Sequence, residues 1–312
     1  MIKPCSWQIA WIVAVCWLSG IGCAVTPYRY GQFHTTRTGD KPSAEITIVY
    51  GSPHKVLDGL GWLVGLPSRL LPMHPNVNNH SLSDETAEKL KTYLQDNDLS
   101  DVFVRVNQYD PAGEWRRLRE NTQISPGWRY SVGTLGLVAY TVLPGRVFGG
   151  DLYNPFTNSL YINSDVPAVV LTEAAYAKDI HSRRLPGAYA TINEFPVLAL
   201  WRHTNAINDV LGYALAEDDW EVERETYRVV YPQMGVHAVL GGHAAASLGA
   251  AMPLFTTPLL AVGGALAGHA VGQTTIAQRV AARKAERRVD ESDQGIQLTG
   301  HAEFVESDAI SN

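Results

Sequence analysis

The residue best placed to do chemistry in this chain is Glu173. On a helical wheel of residues 166–180, Val166, Val169, Val170, Glu173, Tyr176, Ala177 and Ile180 share one face. Leu171, Thr172, Ala175, Lys178 and Asp179 lie around the other side. An ionised carboxylate left unpaired in an apolar stripe costs several kcal/mol. It therefore calls for a cation or hydrogen-bond donors, or it titrates with a raised pKa. Such a group marks either a functional site or a structural network. The histidines offer less. His181 lies just past this helix and His203 stands in WRHTN (201–205), neither with a second histidine at ligand spacing. His237 and His243 are six residues apart and diverge by about 120° on a helix of 3.6 residues per turn. Each reads as a polar side chain on a packed helix. There is no Walker loop, no G-x-S-x-G elbow and no G-x-G-x-x-G after a strand.

The elements that must position Glu173 can be read around it. Residues 45–50 (EITIVY) form a plausible first strand, and 51–80 is rich in loops punctuated by Pro67, Pro72 and Pro75. Ser83 caps a helix over 84–95, where Thr86, Leu90, Tyr93 and Leu94 fall at helical spacing. Residues 101–108 (DVFVRVNQ) alternate as a half-buried strand, and the β-branched and aromatic content of 128–143 predicts one or two more. Asn154-Pro155 and Thr157-Asn158 are turn signals ahead of a strand at 159–163 (SLYIN). Ser164 or Asp165 then caps the Glu173 helix, with Pro167 in its permitted first turn. Further helices are expected over 194–215 and 217–231.

In this setting Thr172-Glu173-Ala174-Ala175-Tyr176 resembles the HExxH segment of zincin metallopeptidases, in register on Glu173. In that motif two histidines bind zinc from one helical face and the glutamate acts as general base on the metal-bound water. The 159–163 strand looks like the edge strand that zincins run beside this helix. The segment EVERETY (221–227) resembles the downstream helix that gives the gluzincin branch a glutamate ligand, with Glu225 better placed and Glu221 the alternative. The resemblance covers residues 80–232. Thr172 and Tyr176 depart from it, because neither hydroxyl is a usual zinc ligand at neutral pH. It therefore implies a degenerate zincin with the fold kept, the hydrolytic chemistry lost and no metal or cofactor. A coincidental TEAAY on an ordinary helix is the competing reading.

Past residue 232 the composition changes. No charged residue occurs from 235 to 272. Ala238, Gly242, Ala246 and Ala250 recur at every fourth position, as do Gly264, Gly268 and Gly272. Pro253 and Pro258 break the chain between the runs, which predicts a helical hairpin. Small residues at this spacing let helix backbones approach closely, in membranes as well as in water. The basic stretch 279–288 (RVAARKAERR) fits lipid headgroups if the hairpin inserts, and a packed soluble hairpin is the other reading.

The first residues read as a secretory leader, with Lys3 before a mostly apolar run over 7–21 that is shorter than the roughly 20 residues of a spanning helix. All three cysteines, Cys5, Cys16 and Cys23, lie there. The body therefore has no disulfide, thiol nucleophile or Cys-ligated metal. Ile21-Gly22-Cys23 resembles the bacterial lipoprotein signal, although Gly20 replaces the usual leucine. That resemblance implies lipid on Cys23, and Ala24 in place of an aspartate favours the outer membrane. A net charge of −6 gives no electrostatic reason to expect nucleic acid.

The expected organisation is an α+β fold with a zincin-like mixed sheet, an active-site-type helix and a C-terminal small-residue helical hairpin. It divides into a signal peptide (1–22), a lipid-anchored tether (23–44), the zincin-like domain (45–232), the Gly/Ala-rich hairpin with its basic flank (233–289) and a disordered tail (290–312). The expected function is a non-catalytic binding or structural lipoprotein of the cell envelope, on the extracytoplasmic side. Its cleft would hold Glu173, a remnant base, with Thr172, Tyr176, Glu225 and Glu221. Expected partners are membrane lipid through Cys23, a protein or peptide, and further copies of the chain. Two alternatives stay open: an active metallopeptidase with unconventional zinc ligands and Glu173 as base, and a membrane scaffold that oligomerises through the hairpin.

Overall fold

A computed structural model describes residues 27–31, 46–52, 54–246 and 256–309. The leader, Cys23 and the greater part of the expected tether lie outside these residues, as does the connection between the two hairpin helices. Strand β1 (Ile48–Tyr50) leads into helix α1 (Lys55–Val64), where His54 Nδ1 caps by accepting from Leu57 N, and then α2 (Leu66–Leu70). The loop-rich region thus contains two helices. Helix α3 (Asp84–Asp96) starts where Ser83 predicts, with the Ser83 hydroxyl accepting from Thr86 N. Strand β2 (Phe103–Val106) is followed by α4 (Pro111–Glu120), capped by Asp110.

The expected strands at 128–143 are helical instead. Helix α5 (Pro126–Trp128), a π-helical turn (Arg129–Gly133) and α6 (Thr134–Val142) run on without a break, and short α7 (Gly145–Phe148) follows. Tertiary contacts override the β-propensity here. Pro126 favours a helix start, and Arg129 Nη1 donates to Leu118 O and Arg119 O at the end of α4. Gly133 packs so closely that a Cβ there would lie 2.9 Å from Phe156 Cβ.

Strands β3 (Leu152–Asn154) and β4 (Ser159–Ile162) form a hairpin closed by Asn158, whose φ of 52° is a left-handed value that asparagine tolerates. The Glu173 helix, α8 (Pro167–His181), comes next, then α9 (Pro186–Ile192), α10 (Pro196–Ala216) and α11 (Trp220–Glu225). A second π-helical turn (Thr226–Val230) joins α11 to α12 (Tyr231–Ala246), and α13 (Thr256–Ala309) ends the described chain. Helix α13 continues through 290–309, where the sequence predicts a disordered tail.

The fold is mixed α and β, mostly helical. Its four-stranded sheet has the order β1-β2-β4-β3, with β1, β2 and β4 parallel and β3 antiparallel at the edge. Pairing Val104 with Leu160 and Val106 with Ile162 sends these side chains to one face. There they share a core cluster with Leu90 and Leu94 of α3 and Val170, Ala174 and Ala177 of α8. The opposite face is polar yet buried. Arg105 Nε donates to Glu114 Oε1 at 2.6 Å, and Ser159 and Tyr161 donate to the same carboxylate. Sheet on one side and helices on the other leave α8 buried almost all round, so the two-faced pattern of the helical wheel does not translate into an exposed face.

Helices α12 and α13 pack backbone to backbone. A Cβ at Gly264, Gly268 or Gly272 would lie 2.4, 2.4 or 2.0 Å from a carbonyl oxygen of Gly235, Tyr231 or Tyr227. The small-residue face of α13 is therefore already covered within the chain. Gly242 does not share this role among the described residues, where a Cβ there meets nothing within 4 Å. Gly235 takes its place, 2.1 Å from Gly264 O by the same measure.

Candidate functional site

Helix α8 lies beside the edge of the sheet, and β3 runs past Glu173. Tyr153 N, unpaired on the edge-strand side, donates to Glu173 Oε2 at 3.1 Å. No ion pair reaches Glu173 among the described residues. Burial raises its pKa, the charge of Arg202 and the Tyr153 N–H pull it back, and the charge of Asp151 raises it further. Asp151 is half-buried, and desolvation raises its pKa too, even though Asn163 N, Ser164 N and the Ser164 hydroxyl all donate to it. Two inward carboxylates thus sit in one field, set by the residues just before β3 and by the middle of α8.

Both face a cavity of about 350 Å³ between α8, α10, α12 and the turn after α2. Asn78, Thr172, His203 and His237 are also on its wall. The two imidazoles stack with ring centroids 4.5 Å apart. Burial and the charge of Arg202 lower both pKa values, that of His203 to about 2, so both rings are neutral. Arg202 Nη2 lies 3.3 Å from His203 Nε2, and its guanidinium carbon sits 4.5 Å from the Tyr176 ring centroid.

The residues at the two histidine positions of the zincin motif are occupied otherwise. The Thr172 hydroxyl donates to Ala168 O at 2.7 Å, one turn back on its own helix. Tyr176 is 1% exposed and packs edge-on against Tyr153 at 5.8 Å. Burial pushes its phenol up to about 12. Glu225 is not on the cavity wall. Its Oε2 lies 3.4 Å from Ala168 N at the start of α8, where burial first and then the charge of Glu221 raise its pKa to about 7. Glu221 is exposed. The buried carboxylate of that helix is Glu223, which binds Arg279 Nε at 2.5 Å and Arg283 Nη1 at 3.6 Å on α13. Among the described residues no three His, Cys, Asp or Glu side chains gather as a metal site.

Sequence reasoning found Glu173 but missed Asp151, Asn78 and Arg202 beside or behind it. None carries a local signal, because each reaches the site through a loop or a crossing helix. Glu223 had one: Arg279 and Arg283, four apart, form a matching pair on a second helix.

A second polar centre lies further along α8. Lys178 Nζ donates to Asp209 Oδ1 at 2.6 Å and to the Tyr28 hydroxyl at 2.7 Å. The Tyr28 hydroxyl is itself 3.0 Å from Asn97 Oδ1 and Asp209 Oδ2. Residues 27–31, expected as tether, are thus docked on α3, α8 and α10. No model of a known family, no curated protein and no solved structure matches this chain.

Proposed function

We propose that this chain is a non-hydrolytic, zincin-like binding module held at the cell envelope by lipid on Cys23. The observation that carries the reading is the contrast along one helical turn. Glu173 reaches a cavity, while Thr172 is bonded to its own helix and Tyr176 is packed between Tyr153 and Arg202. In a zincin a dication would neutralise this glutamate. Here the Arg202 guanidinium supplies positive charge from the side of Tyr176. The antiparallel edge strand beside the helix supports the zincin comparison, and the position of Glu225 at the helix start speaks against its acting as a third ligand.

The anchor has a geometric consequence. Three residues, 24–26, lie between Cys23 and Pro27, a reach of at most about 14 Å over the four steps. With Tyr28 clamped to Asp209 and Lys178, a lipid on Cys23 would hold the domain against the membrane surface rather than on a leash. A second reading, in which the hairpin touches the bilayer, is favoured by α13, where 257–288 is long and apolar enough to cross a membrane by length and composition.

The deciding experiment is metal content by plasma mass spectrometry on the purified full chain grown with zinc. No stoichiometric zinc is expected. Zinc that disappears with Glu225→Ala would instead support an active metallopeptidase. The double variant Thr172→His, Tyr176→His tests the family comparison separately. Acquired zinc binding would support a zincin-type helix, and its absence in a folded variant would count against one.

A further inference from the structure

The cavity at Glu173 has a chemical bias that its lining makes explicit. Its hydroxyl donors are already used: Ser68 Oγ donates to Gly65 O at 2.7 Å and Thr172 Oγ1 to Ala168 O at 2.7 Å. Asn78 is 5% exposed, and its side-chain amide nitrogen donates to Ser68 Oγ. That leaves Asn78 Oδ1 buried with no partner. Ser164 Oγ accepts from Asn78 N and donates to Asp151, which ties the two residues together, and both line the cavity. Glu173 contributes a second carboxylate with one backbone donor. The wall therefore offers acceptors and negative charge where Glu173, Asp151 and Asn78 line it, while Gln233 and the two imidazoles are its remaining side-chain donors. The remainder of the wall includes aliphatic Val77, Val169, Ile207 and Val230, together with Gln233 and the two stacked imidazoles.

We propose that this cavity binds a primary ammonium group on a short apolar chain, the ammonium among Glu173, Asp151 and Asn78 and the chain against Val77, Val169 and Ile207. An ammonium has three donors and no acceptor, the complement of what Glu173, Asp151 and Asn78 present. A carboxylate or phosphate head would meet two like charges. At 350 Å³ the space takes roughly ten non-hydrogen atoms at ~30 Å³ each, enough for a lysine side chain or a small alkylamine. The inference rests on the reading of this cleft as a binding site and names the class of ligand it takes.

The test uses the full chain in detergent micelles, labelled with ¹³C at the methionine methyls. Met234 lines the cavity and is the reporter. The probes are n-hexylamine, n-hexanol, n-hexanoate and a capped Gly-Lys-Gly tripeptide, added at mildly alkaline pH so that the carboxylates are ionised. A saturable Met234 shift is expected with hexylamine, the tripeptide or both, and none with hexanoate. The arm that binds tighter identifies the source as a free amine or a protein side chain. Glu173→Gln and Asp151→Asn should each weaken binding about tenfold or more, the loss expected for one charge-assisted hydrogen bond. Asp151 also holds the turn at Asn163 and Ser164, so Glu173→Gln decides if the other variant misfolds. Hexanol binding as well as hexylamine, undiminished affinity in Glu173→Gln, or no response to any amine would each overturn the proposal. None of these three results would touch the zinc-free reading, which stoichiometric zinc alone would sink.

Discussion

Glu173 and Lys178 are five residues apart on the same buried helix, and their surroundings treat them in opposite ways. Lys178 is enclosed by its partners: the Asp209 carboxylate, the Tyr28 hydroxyl, and the Tyr28 ring with its centroid 4.0 Å from Nζ. Tyr93 donates to the same aspartate. Glu173 has one backbone donor and an open cavity. Burial penalises both charges, lowering the pKa of one and raising that of the other. At Lys178 the penalty is opposed by side-chain partners that tie α8 to α10 and to the N-terminal segment. At Glu173 it is opposed by one backbone donor and the more distant charge of Arg202. The comparison separates a charge that holds the fold from a charge kept ready for something outside it.

The largest effect should come from the closed network. Lys178→Met leaves Asp209 without its cation, while two tyrosine hydroxyls and partial solvent access remain. Breaking a buried pair typically costs 3–5 kcal/mol, which this residual support reduces to about 2–3 kcal/mol. Urea denaturation of the variant measures it. A loss below about 0.5 kcal/mol would place Lys178 with surface pairs and remove the contrast.

Glu225 gives the next effect, with the opposite sign. Its pKa rises from 4.5 to about 7 on folding. The folded state holds this proton more tightly, so stability is complete below the unfolded value and is lost as pH rises through about 7. Glu225→Gln should therefore stabilise the protein above that pH by roughly 2 kcal/mol, allowing for partial solvent screening, and change little in acid. Thermal unfolding across the range checks it. A flat difference between the two proteins would mean that the carboxylate does not titrate there.

The N-terminal segment supplies a smaller test of how far the network extends. Tyr28→Phe keeps the ring over Lys178 and deletes a hydroxyl within reach of Asn97, Asp209 and Lys178. A loss of about 1–2 kcal/mol is expected. Coupling to Lys178→Met in a double-mutant cycle should exceed about 0.5 kcal/mol, the usual limit for independent sites.

These regions differed in how well the sequence revealed them. Ser83, Pro167 and the turn at Asn158 mark element ends by local chemistry, so α3, α8 and β4 are readable, although the expected cap by Ser164 or Asp165 is absent and α8 starts from Val166 without a side-chain cap. The stretch 128–143 was misread because its β-branched residues are governed by partners elsewhere: Arg129 by the carbonyls ending α4, Gly133 by Phe156. Glu173 was legible as a carboxylate in an apolar stripe. Lys178 was assigned to the outer side of the wheel, because a wheel cannot show that Asp209 and Tyr28, 31 and 150 residues away in sequence, wrap that side. Gly242 was grouped with the packing glycines on spacing alone, and only the register of α12 on α13 reveals that Gly235 fills that position.

The smallest expected effect is the one that decides the comparison. Glu173→Gln preserves the shape of the side chain, and its amide oxygen can still accept from Tyr153 N. It removes a charge that the fold does not pair, so stability should change by about 1 kcal/mol or less and toward greater stability at high pH. The raised pKa of Glu173 means that ionisation costs stability as pH rises, and glutamine does not ionise. If this variant instead lost as much as Lys178→Met, Glu173 would have to be a structural ion like its neighbour, and the cavity beside it a packing defect. A neutral change in folding together with a lost amine response leaves ligand binding as the explanation for a carboxylate kept at that cavity.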